Sequence, residues 1–315
     1  MNDARLLEAA RAGDEDAFAG LVEPHRRALH AHCYRMLGSV TDAEDALQDA
    51  LLNAWRGLAR FEGRSSLRSW LYRIATNACL DVLRRRTPPL QPYPDLLLDR
   101  PGPDGDRPEQ TAIARETIEL TFLAALRLLP PRQRAALIVR DVLGWSATET
   151  ATLLDCGVPA ANSALQRARA TLREQLPDGL HSSWPAGVEA TETEVLRRYI
   201  DAHERADAAA VIDLLAEDPV LAISGLGQWR GRESVANALE QGLTSPGEWL
   251  MTGTRANGHP CAAAYLRPQG TDLHQAFALI VLDVRNGAIT SMTAFETPFL
   301  FPFFGLPLTR CVSEL

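Results

Sequence analysis

At 315 residues with 46% hydrophobic content, the chain can build two or three small cores, and its composition excludes a disordered or fibrous protein. It holds no apolar run long enough to span a bilayer, and its opening stretch, MNDARLLEAARAGDEDAF, lacks the apolar core of a secretory signal, so the cytoplasm is the expected compartment. The net charge of −8 conceals a split: residues 1–176 hold 23 Arg against 23 acids, residues 177–315 hold 9 Arg against 17, and every basic residue is arginine. Such patterning speaks to partners more than to fold.

In chain order, the first block spans residues 1–88 and is helical. Its residues 14–49 carry 8 acids and 3 Arg, whereas residues 51–86 carry 8 Arg and 2 acids. TDAEDALQDALLNAWRGL opens with a capping box, Thr41 with Glu44 three residues on. Leu47, Ala50, Leu51, Ala54, Trp55 and Leu58 then share one face, which leaves Asp45, Gln48 and Asp49 on the other. FEGRSSLRSWLYRIATNACLDVLRRR reads as a short polar loop and a second helix. Leu67, Trp70, Leu71, Ile74, Ala75, Ala78 and Val82 form its buried stripe, and Arg68, Ser69, Arg73, Asn77, Arg84 and Arg85 point outward.

Residues 89–110 are dense in Pro, Gly and Asp and read as a linker. The block 111–176 is again helical. Pro130-Pro131 suits a first helical turn, and Ser146 with Glu149 forms a capping box. DCG is a tight turn, after which Pro159 restarts a helix; helix, short turn, helix is the helix-turn-helix pattern. Leu165, Ala168 and Leu172 face inward, while Asn162, Ser163, Gln166, Arg167 and Arg169 stay outside. Asn162 and Gln166 suit adenine, and Arg167 suits guanine or phosphate.

A solvated arginine face is the ordinary reading of a basic helix. The helix-turn-helix that follows shifts that reading toward DNA, since arginine supplies phosphate contacts and a small polar loop beside an aromatic helix suits unstacked bases. DAEDALQDALLNAWRGLARFEGRSSLRSWLYRIATNACLDVLRRR resembles region 2 of extracytoplasmic-function sigma factors of bacterial RNA polymerase. LPPRQRAALIVRDVLGWSATETATLLDCGVPAANSALQRARATL resembles their region 4. The resemblance implies that Asp42, Asp45, Gln48 and Asp49 dock on the polymerase clamp helices. It implies that Ser65, Ser66 and Leu67 hold a flipped minus-ten base, that Trp70, Arg73, Asn77 and Arg84 serve melting, and that region 4 reads the minus-thirty-five element. Within region 4 the DNA-facing set is Pro159, Asn162, Ser163, Gln166, Arg167 and Arg169. Many relatives have Gly-Thr-Val-x-Ser-Arg where this chain has Pro159-Ala160-Ala161-Asn162-Ser163-Ala164, so the resemblance does not say which bases are read.

Residues 177–191 are a second linker and residues 192–300 change period. Two amphipathic helices, around Val195–His203 and Val211–Leu215, precede strand-like runs, and Asn286-Gly287 marks a hairpin. The expected fold is multidomain: two all-α sigma modules and then an α+β domain with an antiparallel sheet. WRGRESV, the strand pattern and the FGLP near the end resemble SnoaL-like cone domains, found as C-terminal extensions in a subgroup of these sigma factors. Residues 301–315 form a Phe/Pro-rich tail, in which a packed edge outweighs a docking peptide. Tyr199, His203, Asp213, Trp229, Arg255, Tyr265 and His274 are candidate pocket residues, yet no spacing among them fixes an acid–base pair. The five cysteines, Cys33, Cys79, Cys156, Cys261 and Cys311, are far apart without C-x-x-C and read as reduced thiols.

These readings converge on a sigma factor with core RNA polymerase and promoter DNA as partners, with no cofactor, metal or catalysis expected. A two-part sigma factor needs no further domain for its basic task, so the third block is read as regulating the other two in cis. The competing classes are a DNA-binding head fused to a pocket enzyme and a helix-turn-helix regulator without polymerase. The acidic helix argues against the last, because a plain repressor does not need it.

Overall fold

The computed structural model describes residues 3–63, 65–98, 119–175, 188–243 and 247–311. Most of the expected linkers, residues 99–110 and 177–187, and the start of the second block, residues 111–118, lie outside the described residues. The described residues divide into two compact units. One runs up to Tyr93 and from Leu97 to Gln175; the other contains Pro94–Leu96 and everything from Val188 on.

The first unit begins with α1 (Asp3–Arg11), α2 (Glu15–Leu37), α3 (Val40–Gly57) and α4 (Leu67–Arg85). Asp14 caps α2, its carboxylate accepting from Ala17 N at 3.0 Å, and Gly38 ends it in the left-handed conformation, φ +70°, its N–H turned back to Tyr34 O. Every residue from Leu29 to Leu37 is buried, so this half of α2 is surrounded. α3 and α4 pack against it, as does part of the second helical module: α5 (Leu120–Arg127), α6 (Pro131–Leu137), a π turn at Ile138–Val142, α7 (Ala147–Leu153) and α8 (Val158–Gln175). Buried Arg134 of α6 ties the modules together, donating to Met36 O at 2.5 Å, to Arg127 O at 3.1 Å and to Leu129 O at 3.4 Å. Trp145 packs edge-on against Tyr72 of α4 at 5.5 Å. The Ser146–Glu149 capping box forms as expected, and Pro131 occupies the first turn of α6.

The other expected capping box does not form. Ser39, not Thr41, caps α3, accepting from Asp42 N at 3.2 Å. The buried stripe of α4 is also rotated from expectation. Tyr72, Thr76 and Cys79 are buried alongside Trp70, Leu71 and Ala75, because α2 and the second module cover α4 from that side.

The second unit places α9 (Val188–Glu204), α10 (Ala208–Asp213) and α11 (Arg232–Leu243) beside a seven-stranded sheet. Its strands are β1 (Leu215–Ile223), β2 (Gly227–Arg230), β3 (Glu248–Ala256), β4 (His259–Arg267), β5 (Leu273–Arg285), β6 (Ala288–Phe295) and β7 (Thr309–Cys311). The order is β2-β1-β6-β5-β4-β3, with β7 added to β5. Helices and sheet share a core that includes Val195, Tyr199, Val211, Leu239, Met251, Ala264, Ile280 and Met292.

The sheet is mixed rather than antiparallel. β1 runs parallel to β6, Leu221 opposite Met292, and α11, which sequence periodicity did not reveal, lies in the intervening chain. The Asn286-Gly287 hairpin is present, both residues having positive φ, and Asn257-Gly258 forms a second such turn. The Phe-rich stretch is a packed edge. Pro298–Phe304 forms a 3₁₀ turn that buries Leu300, Phe301 and Phe304, with Phe301 against Tyr265 at 5.0 Å. α9 begins at Val188, and β7, Thr309–Cys311, adds to the sheet against β5.

Candidate protein and nucleic-acid interfaces

The exposed side of α3 carries Asp45, Gln48 and Asp49. Gln48 Nε2 donates to Glu44 Oε1 at 3.2 Å, and Glu44 is also paired with Arg26 at 3.0 Å. Beside them runs a groove of about 520 Å³ lined by Glu15, Phe18, Arg26, Gln48, Leu51, Leu52 and Trp55. Phe18 and Trp55 pack at 5.0 Å, and Leu52 is 53% exposed. Sequence reading placed Leu51 and Trp55 in the core stripe and missed this groove. The signal available was the doublet Leu51-Leu52, too wide for a single buried stripe.

Asp42 departs from the expected docking set. It is 5% exposed, accepts from Ser39 Oγ and is ion-paired with Arg86. Gln91 Oε1 completes the cluster, accepting from Thr41 N at 3.1 Å and from Thr41 Oγ1 at 3.1 Å. Asp42 thus fixes the start of α3 to the chain after α4, and a partner cannot reach it.

The loop before α4 exposes Ser65 and Ser66; Leu67 is half-buried. Ser66 caps α4, accepting from Ser69 N at 3.1 Å. Trp70, expected in the buried stripe, is 8% exposed and packs on Phe61 at 4.9 Å, so it forms the floor under the loop rather than the melting surface that the resemblance implies. Arg73, Asn77, Arg84 and Arg85 are exposed, with Arg84 paired to Asp81. Arg68 lies over the Tyr72 ring at 5.6 Å.

The frame beneath is polar, and His32 Nδ1 and Arg134 Nε are buried in it without a hydrogen-bond partner. His32 Nε2 meets Thr76 Oγ1 at 2.9 Å, and Thr76 in turn donates to Tyr72 O at 2.8 Å, so His32 is the donor and carries its proton on Nε2. Burial, with Arg35 nearby, pushes the His32 pKa down to about 3, so the ring is neutral. Burial likewise pulls Arg134 down to about 10, still charged at neutral pH.

On α8, Pro159, Asn162, Gln166 and Arg167 are exposed and Ser163 is half-buried. Arg169 is held in a bidentate pair with Asp141, Nε to Oδ2 at 2.9 Å and Nη2 to Oδ1 at 2.6 Å. The helix therefore presents a polar, weakly charged N-terminal face with one arginine already engaged.

The seven pocket candidates of the third domain do not converge. Tyr199 and His203 are buried on α9, His203 lying 5.2 Å from Trp249, and burial pushes the His203 pKa down to about 4. Trp229 packs at the core edge, Asp213 is exposed, and Arg255 binds carboxylates. Tyr265 and His274 lie toward the C-terminal segment: Tyr265 donates to Pro307 O at 3.0 Å under the Arg310 guanidinium, and His274 lies opposite Arg310. Among the described residues no helix is long and apolar enough to cross a membrane.

Comparison with known proteins agrees with this layout. Residues 21–88 match the Sigma-70 region 2 family and residues 119–172 the Sigma-70 region 4 family. The chain is 38% identical to the ECF RNA polymerase sigma factor SigG of Mycobacterium tuberculosis, over 97% of this chain and 87% of that one. It is 40% identical to SigM of the same organism over 56% of its length, covering 85% of SigM. Among solved structures, the M. tuberculosis extracytoplasmic-function sigma factor SigJ superimposes with a TM-score of 0.58 at 23% identity, covering 90% of this chain and 97% of SigJ, a likeness of fold.

Proposed function

From the premise that this chain belongs to the extracytoplasmic-function RNA polymerase sigma factors, we propose how its surfaces divide the work of promoter recognition. Core polymerase docks on the exposed side of α3, through Asp45, Gln48 and Asp49 and the adjoining groove of Leu51, Leu52 and Trp55. The acids would repel DNA, and the apolar groove gives a protein partner area to bury. Promoter DNA is opened along α4, with Ser65, Ser66 and Leu67 receiving an extruded base and Arg73, Asn77 and Arg84 following the displaced strand. Unstacking costs a few kcal/mol per step, which a base pocket and cations along the strand offset. α8 reads the upstream element through Pro159, Asn162, Ser163, Gln166 and Arg167. The observation that carries this reading is the opposite charge of the exposed faces of two neighbouring helices, α3 and α4, in one module.

The packing of the two modules adds a constraint. Minus-ten and minus-thirty-five elements are separated by about 25 base pairs, or about 85 Å at 3.4 Å per pair. A compact body of about 170 residues has a radius of gyration of only about 16 Å. With Arg134 and Trp145 holding them together, the modules cannot read both elements at once. The packed form is a resting state that opens on polymerase, and the third domain regulates that opening in cis.

Run-off transcription with purified core polymerase on genomic fragments tests the assignment. Promoter-specific products that require the full chain are expected; none above core alone, across salt and temperature, would refute it.

A further inference from the structure

Resting on the reading of α8 as the helix that meets the upstream element, we propose that Asp141 is a positioning residue for that contact: its carboxylate stands where a DNA phosphate would and withholds Arg169 from the duplex. Asp141 thereby sets the affinity and the salt dependence of the contact without reading any base. Asn162, Gln166 and Arg169 follow one another on α8 at i, i+4 and i+7, so they share one stripe, and all three are exposed. Ala161, Ala164, Leu165 and Ala168 form the buried stripe that turns this face outward. Where the first turns of a helix meet base edges, its later turns reach the flanking sugar-phosphate backbone. Arg169 lies about two turns beyond Asn162, and an arginine there binds phosphate, for affinity rather than sequence.

The guanidinium is already taken. Its Nε donates to Asp141 Oδ2 at 2.9 Å and its Nη2 to Asp141 Oδ1 at 2.6 Å. This grip sets one edge of the guanidinium against a fork of two oxygens, which is also how that edge takes a phosphate. The same edge cannot serve both partners, so DNA gains Arg169 only by displacing Asp141. A displaced Asp141 then faces the duplex as an uncompensated negative charge.

Two features distinguish this pair from other ion pairs on the surface. Those of Arg84 with Asp81 and of Arg197 with Glu194 and Asp201 lie within single helices, and such pairs are worth little. Arg169 instead reaches from α8 to the π turn that follows α6. That turn is also fixed on both sides of Asp141. Leu143 N donates to Ile138 O at 3.0 Å, the bond that defines the π turn; Trp145 N donates to Val139 O at 3.1 Å; and Arg140 donates to Trp145 O. Turns of this kind gather at functional sites, and this one holds the carboxylate in place beside a reading face. Asp141 and Arg169 belong to the same helical module, so parting of the two modules does not by itself break the pair.

The test uses the full-length chain assembled with core polymerase, carrying Asp141→Asn, Arg169→Gln, both together, or Arg167→Ala. Binding is titrated with salt on two duplexes, a promoter fragment selected by run-off transcription and a random-sequence duplex of equal length. Each added phosphate contact steepens the fall of log K with log salt by about 0.9. Asp141→Asn is expected to steepen the slope by that amount and to tighten binding severalfold at low salt on both duplexes, since a phosphate contact is blind to sequence. A gain of affinity cannot come from a damaged fold. The double variant is expected to return to the wild-type slope, and Arg169→Gln alone to stay close to it. If Asp141→Asn lowers the melting temperature and leaves the slope unchanged, the pair is a structural strut and the proposal is overturned. If the double variant keeps the gain, Asp141 acts by its own charge; the withholding of Arg169 is overturned and the reading of α8 stands. If Arg167→Ala leaves the slope unchanged as well, α8 does not meet DNA, and the reading and the proposal fail together.

Discussion

α3 and α4 belong to one module and both pack against α2, yet they turn opposite charge to solvent. α3 shows Asp45 and Asp49; α4 shows Arg73, Arg84 and Arg85. Both bury a mostly apolar side, aliphatic on α3 and partly aromatic on α4, and their exposed sides are opposite in charge. The difference teaches that the charge contrast in this module is written on exposed residues that contribute little to stability. Frame and surface can therefore be separated by substitution, and Trp70 and Asp42, buried residues to which the resemblance gives partner roles, are the strictest tests.

The largest effect should come from the frame. Trp70→Ala leaves a cavity against Phe61 and Gly57 and should destabilise the first unit by about 3–5 kcal/mol in denaturant titration. A loss under 1 kcal/mol would remove Trp70 from the buried frame. Next, Asp45→Arg with Asp49→Arg should weaken core-polymerase binding more than a hundredfold in pull-down or titration while the melting temperature stays unchanged. Retained binding would remove α3 from the docking surface.

Asp42→Ala tests the boundary between the two roles. It removes a buried partner of Arg86 and Ser39 and should cost about 2 kcal/mol, with polymerase binding scaled only by the folded fraction. A weaker effect follows from acid. His32 and His203 are held neutral, at about 3 and about 4, against an ordinary value of 6.5. Unfolded chain takes up protons below pH 6.5 that the folded state refuses. Stability should therefore be full above that pH and fall toward pH 4 by up to about 1.4 kcal/mol per pH unit for each histidine. His203→Phe should flatten the acid limb of the second unit only. The smallest contrast lies on α8. Arg167→Ala should lower the salt slope of DNA binding by about 0.9, whereas Arg169→Ala, already paired to Asp141, should change it little.

Much of this was legible in sequence: module order, the helix-turn-helix, the Ser146 cap and the Asn286-Gly287 turn are local signals. What failed was decided at a distance. Ser39-x-x-Asp42 and Thr41-x-x-Glu44 are overlapping capping signals of nearly equal quality, and Gln91 and Arg86, far along the chain, select the first. The parallel pairing of β1 with β6 carries no periodic mark.

The pairing of β1 with β6 also sets an order in time. β1 ends at Ile223 and its parallel neighbour begins at Ala288, so the third domain cannot close its sheet until the ribosome has passed β6. Both helical modules are complete by Gln175. At about 5–20 residues per second, the roughly 120 residues from there to Phe295 take about 6–24 seconds to make. For that interval a nascent chain displays finished sigma modules with no finished third domain.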